Sequence, residues 1–149
     1  MALVRSRVTK PEMRVRRALH AAGLRYRLHD RRLPGSPDLV FPSRRIAFFV
    51  HGCFWHRHVG CAAARLPKTR LEFWEPKLSG NVSRDQRQRE VLEASGWTVL
   101  VVWECETRDL VALDALAQWI LAMTPGTTGR IESRCEGVRT QRRAANRRK

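Results

Sequence analysis

From Thr9 to Gly23 the chain reads "TKPEMRVRRALHAAG", in which Val15, Ala18, Leu19 and Ala22 recur at helical spacing. Thr9 caps this predicted helix, Pro11 sits in its first turn and Gly23 stops it. "LRYRL" then alternates apolar and basic residues as a half-buried strand does, and "LPGSP" is turn chemistry. "DLVF" and "IAFFV", joined by "PSRR", predict a hairpin-like strand pair. Farther on, Thr69 with Glu72 predicts a capped helix that Pro76 should interrupt, and Asn81 opens a second, polar helix closed by Gly96. "WTVLVVW", from Trp97 to Trp103, has the unbroken apolar, β-branched character of a strand covered on both faces, and predicts a place near the sheet centre. A last helix is predicted from Leu110, Leu113, Ala117, Ile120 and Leu121. The order of elements predicts an α/β or α+β domain without internal repeats over residues 1–124, followed by a basic tail over 125–149.

Composition changes this picture in two ways. The chain has 149 residues, enough for one domain with its own core, and its 29 Lys and Arg against 14 Asp and Glu give a net charge of +15. The stretch from Arg130 to Lys149 lacks apolar periodicity and carries a net +6, so +9 remains on residues 1–129. A polyanion such as nucleic acid is the natural partner of that excess. No signal peptide or transmembrane run is present in the sequence, which points to a reducing cytoplasm. There, Cys53, Cys61, Cys105 and Cys135 read as metal ligands or buried thiols rather than disulfides.

Residues 51–61, "HGCFWHRHVGC", concentrate the candidate chemistry. Cys53, His58 and Cys61 lie close in sequence, and Cys105 directly follows the apolar strand, so the four can close a tetrahedral structural zinc site. Separate buried thiols and an unrelated histidine are the alternative, and Cys135 is left over. Asp38 starts a strand after a turn, and hairpin pairing can bring it to the same sheet edge as His51, where a carboxylate could hold Mg2+. On spacing alone, however, Asp38 reads as a turn residue and Glu12 as the far half of a capping box with Thr9. His56 is a candidate general base that Asp85 could orient, although an exposed helix carboxylate explains Asp85 equally well. Phe54, Trp55 and Trp74 can form a stacking platform, while Trp97, Trp103 and Trp119 read as core.

Taken in order, "TKPE", "LPGSPDLVF", "FVHGCFWH", "RLEFW", "NVSRD" and "GWTVLVVWEC" resemble the very short patch repair (Vsr) endonucleases, from about Met1 to Trp119. The resemblance implies a restriction-endonuclease-like mixed sheet flanked by helices, with His51 where related nucleases carry lysine and Phe49 at the second acidic position. It implies nicking of double-stranded DNA on the 5′ side of the thymine in T·G mismatches left by 5-methylcytosine deamination. Carried over by position, Asp38 and the Val50 carbonyl match the Mg2+ site, and His51 and Glu12 its water-mediated partners. His56 and Asp85 match the acid/base pair, and Cys53, His58, Cys61 and Cys105 the zinc ligands. Phe54, Trp55 and Trp74 match the aromatic wedge, with Lys77, Asn81 and Met1 as further DNA contacts. The family's usual single residue between the zinc histidine and the next cysteine is here Val59-Gly60, its "GRPD" turn is "GSPD", and Met1 aligns with a wedging methionine of a longer arm. Mismatch repair proteins as partners, a monomer, and a cytoplasmic, nucleoid-associated bacterial location are further expectations.

Competing readings are a zinc-stapled DNA-binding module without cleavage and a related nuclease acting on other lesions or in phage defence. A zinc nucleobase deaminase is disfavoured, since its H-x-E and P-C-x-x-C signature is missing.

Overall fold

The computed structural model describes residues 8–123; Met1, Cys135 and the basic tail lie outside them. Helix α1 (Lys10–Ala21) begins as the sequence predicts, with the Thr9 side chain accepting from the Glu12 amide. It ends where Gly23 adopts a positive φ of 90°, a conformation that costs glycine little. Strands β1 (Arg27–Leu28), β2 (Leu39–Phe41), β3 (Ile46–His51) and β4 (Thr98–Trp103) form one sheet in the order β1-β2-β3-β4. The first three are antiparallel neighbours, and β4 runs parallel to β3. The predicted hairpin is thus present, and Pro42–Arg44 forms a short 3₁₀ turn between its strands.

Alternation along the strands sorts their side chains between two apolar layers. Leu39, Phe41, Ile46, Phe48, Leu100 and Val102 face α1 and α3 (Leu110–Ala122). Ala47, Phe49 and Val99 face the other way, onto Leu92 of α2 (Leu71–Ala94). The result is a mixed α/β domain in which α1 and α3 cover one side of the sheet and α2 the other.

Four expectations change. "LRYRL" supplies only the two-residue β1. A single 24-residue α2 replaces the two predicted helices. It starts after Arg70, which is left-handed at φ 58°, and not from a Thr69 cap. Pro76 is accommodated because the amide it lacks would have bonded the carbonyl of Glu72, in the exposed first turn. Asn81 does not cap a helix either; it lies mid-helix and donates to the Trp55 carbonyl at 3.0 Å. Third, β4 is an edge strand and not a central one. Its apolar run reports helices on both faces, which is independent of whether both of its edges are hydrogen-bonded. Finally, Leu110 and Leu121 are exposed, leaving Leu113, Ala117 and Ile120 as the buried stripe of α3.

Phe48 is fully buried and Val111 is 80% exposed. Phe48→Ala is therefore expected to lower the unfolding free energy by about 3–5 kcal/mol through the cavity it leaves. Val111→Ala should change it by less than about 0.5 kcal/mol. Urea unfolding of both variants measures the contrast.

Candidate active site and metal clasp

Parallel pairing places His51 opposite Trp103, at the ends of β3 and β4. Two residues beyond each lie Cys53 and Cys105, so one register brings together ligands far apart in sequence. The Glu104 amide donates to the His51 carbonyl at 2.8 Å and extends that pairing into the loop. After β3 the chain coils back on itself, with the His58 amide bonded to the Cys53 carbonyl, the Cys61 amide to the His58 carbonyl, and Arg57 and Gly60 at positive φ. Ligand atoms of Cys53, His58, Cys61 and Cys105 consequently all lie within 4.8 Å of one another. His58 Nδ1 is 3.7 Å from the Cys53 sulfur and 3.4 Å from that of Cys105.

The electrostatics of this cluster fit a cation. Desolvation, followed by the hydrogen bond and charge of Cys53, pushes the Cys105 thiol up to about 12, and desolvation also raises Cys53. At Cys61 desolvation is outweighed by the Ala63 amide and the neighbouring thiols, and its pKa falls. Three sulfurs this close cannot all ionise unaided, whereas a bound metal stabilises the thiolates together.

A second trio lies on the α2 side of the sheet end. Asp85, from α2, places Oδ2 2.5 Å from His56 Nδ1. The His56 ring stacks on that of His51 with centroids 3.9 Å apart and planes within 6°. A cleft of about 320 Å³ opens beside them, lined by Phe49, His51, His56, Val82, Asp85 and Arg89 among others. Burial, followed by the charge of His56 and only partly offset by Asp85, lowers the His51 pKa from 6.5 to about 4 and keeps its ring neutral.

Asp38 belongs to a different trio, with Glu12 and His29. Its Oδ2 accepts the Val50 amide at 2.7 Å, so the structure ties Val50 to Asp38 through the N–H. Burial raises the Asp38 pKa, against that hydrogen bond, with the charge of Glu12 adding to the rise and those of His29 and His56 opposing it. The sequence reading set Asp38, Glu12 and His51 about one site, and the structure gathers them into two adjoining trios. Glu12 joins Asp38, whereas His51 joins His56 and Asp85. Glu12 is also more than a cap, being only 4% exposed with its carboxylate turned toward His29.

Phe54 packs edge-on against Trp55 and Trp74, which are tilted against each other, at centroid distances of 5.2–6.0 Å. Trp55 is 47% exposed and Phe73 45%. The Lys77 ammonium lies 5.3–5.9 Å from the rings of Trp55, Phe73 and Trp74. Trp97 and Trp119 are only half-buried against the core. Trp103 stacks on His58 at 4.3 Å and meets His51 edge-on, which corrects its assignment to the core. Sequence reasoning missed Phe73 and His29. Phe73 was detectable as the residue four before Lys77 on one helix, and His29 only from the β1–β2 register.

A family profile described as DNA mismatch endonuclease Vsr matches residues 1–62. The type II nicking enzyme V.XorIIP of Xanthomonas oryzae pv. oryzae is 56% identical over 121 residues, covering 81% of this chain and 88% of that protein. The chain belongs to the Vsr endonuclease family. DNA mismatch endonuclease Vsr of Escherichia coli strain K12 is 41% identical over 126 residues, 80% of either chain. Type II nicking enzyme V.NmeAIP of Neisseria meningitidis serogroup A is 41% identical over 109 residues, 73% of this chain and 77% of that one. As a Vsr-family member the chain is a DNA endonuclease, a hydrolase that needs a divalent metal ion. No helix among the described residues is long and apolar enough to cross a membrane.

His51 has a testable consequence. Its folded pKa lies below the ordinary 6.5, so the unfolded chain takes up the proton more readily and stability is lost as pH falls from 6.5 toward about 4. His51→Asn should flatten that part of the stability profile. Urea midpoints of both proteins at neutral pH and at about pH 5 give the comparison.

Proposed function

We propose that this Vsr-family enzyme nicks double-stranded DNA on the 5′ side of the thymine in T·G mismatches, as in repair of deaminated 5-methylcytosine. The observation that carries the reading is the convergence of two titratable trios, Glu12-His29-Asp38 and His51-His56-Asp85, at one sheet end. An exposed aromatic surface lies on the same loop and helix as the second trio. The E. coli relative's name adds mismatch endonuclease activity to that support. We extend the reading to a restriction-endonuclease-like domain over residues 1–124, acting as a monomer in the bacterial cytoplasm near the nucleoid, with mismatch repair proteins as partners.

In this mechanism Asp38 and the Val50 carbonyl hold Mg2+, and Glu12 and His51 line the approach to it. When bound, the ion polarises the phosphodiester and favours attack by water. His56 Nδ1 donates to Asp85, which fixes the ring and leaves Nε2 to accept or return a proton at the scissile phosphate. His51, kept neutral and stacked on His56, holds that ring in plane. Cys53, His58, Cys61 and Cys105 bind Zn2+ and keep the loop folded against the end of β4. Phe54, Trp55 and Trp74 wedge into the duplex beside the mismatch, where unstacking costs less than at a paired step. Lys77 and Asn81 flank that wedge; Asn81 already supports it by holding the Trp55 carbonyl.

Nicking of T·G and matched duplexes with Mg2+ tests the reading. Asp38→Ala should reduce the T·G rate on the order of a thousandfold, and His56→Ala about a hundredfold or more. Equal nicking of both duplexes removes the mismatch claim, and binding without strand breaks reduces the protein to a DNA-binding module. Separately, Cys53→Ser is expected to lose its stoichiometric zinc, read by elemental analysis, together with a fall in melting temperature and faster proteolysis in the 52–70 loop.

A further inference from the structure

His29 directly follows β1, and the register that pairs Leu28 with Leu39 sets it opposite Asp38. Its amide donates to the Asp38 carbonyl at 3.1 Å, so the two backbones are pinned face to face. It does so at φ 47°, in the left-handed region that is uncommon for residues other than glycine. This backbone aims the imidazole between two carboxylates. Nε2 lies 3.0 Å from Glu12 Oε1, and Nδ1 lies 3.9 Å from Asp38 Oδ1.

Despite that proximity, neither Glu12 Oε1 nor His29 Nε2 makes a hydrogen bond among the described residues. The Glu12 side chain is 6% exposed, and Arg16 reaches only to 3.7 Å from Oε1. A buried carboxylate oxygen without a hydrogen bond costs free energy that a cation would recover. One ligand atom each from Glu12, His29 and Asp38 can be chosen within 4.8 Å of the others, a span that suits ligands around one ion.

We propose that one ring nitrogen of His29 is a direct ligand of the divalent cation held by Asp38 and the Val50 carbonyl, with the Glu12 carboxylate facing the same ion. The site is then of mixed nitrogen and oxygen character. An all-oxygen site suits Mg2+, whereas an imidazole ligand favours a transition metal, so this centre binds Mn2+ more tightly than Mg2+. The inference rests on the reading of Asp38 as the metal-binding carboxylate and adds the residue that sets metal preference.

The test uses the full chain with its Cys-His clasp loaded with zinc, and titrates Mn2+ alone, then Mg2+ in competition. Pulsed electron paramagnetic resonance of the bound Mn2+ should show coupling to a nitrogen nucleus. His29→Asn tolerates the left-handed backbone and removes the imidazole. It should abolish that coupling and weaken Mn2+ about tenfold or more, while Mg2+ weakens less than about threefold. A wild-type spectrum without nitrogen coupling, coupling that survives in His29→Asn, or equal weakening of both ions overturns the proposal and leaves His29 as an ion-pair partner of Glu12. Asp38→Asn separates the two layers. Mn2+ binding that persists in it defeats the metal assignment of Asp38 itself, whereas loss there with no change in His29→Asn defeats only the role of His29.

Discussion

The parallel pairing of β3 with β4 is the constraint from which the site follows. Six consecutive residue pairs, from Ile46 with Thr98 to His51 with Trp103, bring both strands to an end at the same level. Because the ends coincide, the loop after β3 and the turn after β4 leave side by side, and Cys53 meets Cys105 without a long excursion of either chain. A slip of one residue in β4 would turn Trp103 to the opposite face and move Cys105 away from its partners. Apolar burial on both faces of these strands enforces the register, so the core and the clasp are specified by the same interaction.

Around that end the protein gathers groups that would not gather unaided. Three thiols, three histidines beyond the clasp and three carboxylates lie in neighbouring clusters, and much of the cost is met by neutrality and pairing. His51 gives up its charge, Asp85 supports His56, and Asp38 accepts a backbone amide. Glu12 Oε1 is left as a buried acceptor without a hydrogen bond among the described residues, next to a histidine at positive φ. Local dissatisfaction of this kind is characteristic of sites shaped for a ligand.

Legibility of these features in the sequence depended on how local their causes were. The start of α1 and the β2–β3 hairpin were readable, because a cap and a turn act over a few residues. The Cys-His clasp was readable because three of its ligands share one loop. By contrast, the edge position of β4 is a property of the whole sheet, and helix coverage masked it in the pattern. Pro76 signalled a break where position within the first turns made continuation tolerable. His29 could not be found by motif, since its meaning comes from standing opposite Asp38. That His51 meets His56 and Asp85 while Asp38 and Glu12 meet His29 was hidden for the same reason, because only the tertiary fold decides what each side chain meets.

One feature joins the clasp to the histidines. His58 lies flat on Trp103, the indole meets His51 edge-on, and His51 lies flat on His56. Four rings in such a column hinder one another's rotation about χ2, the first lying among the cysteines of the clasp and the last held by Asp85. The orientational entropy of the His56 imidazole is thus removed during folding, so that little of it remains to be lost when a ligand arrives.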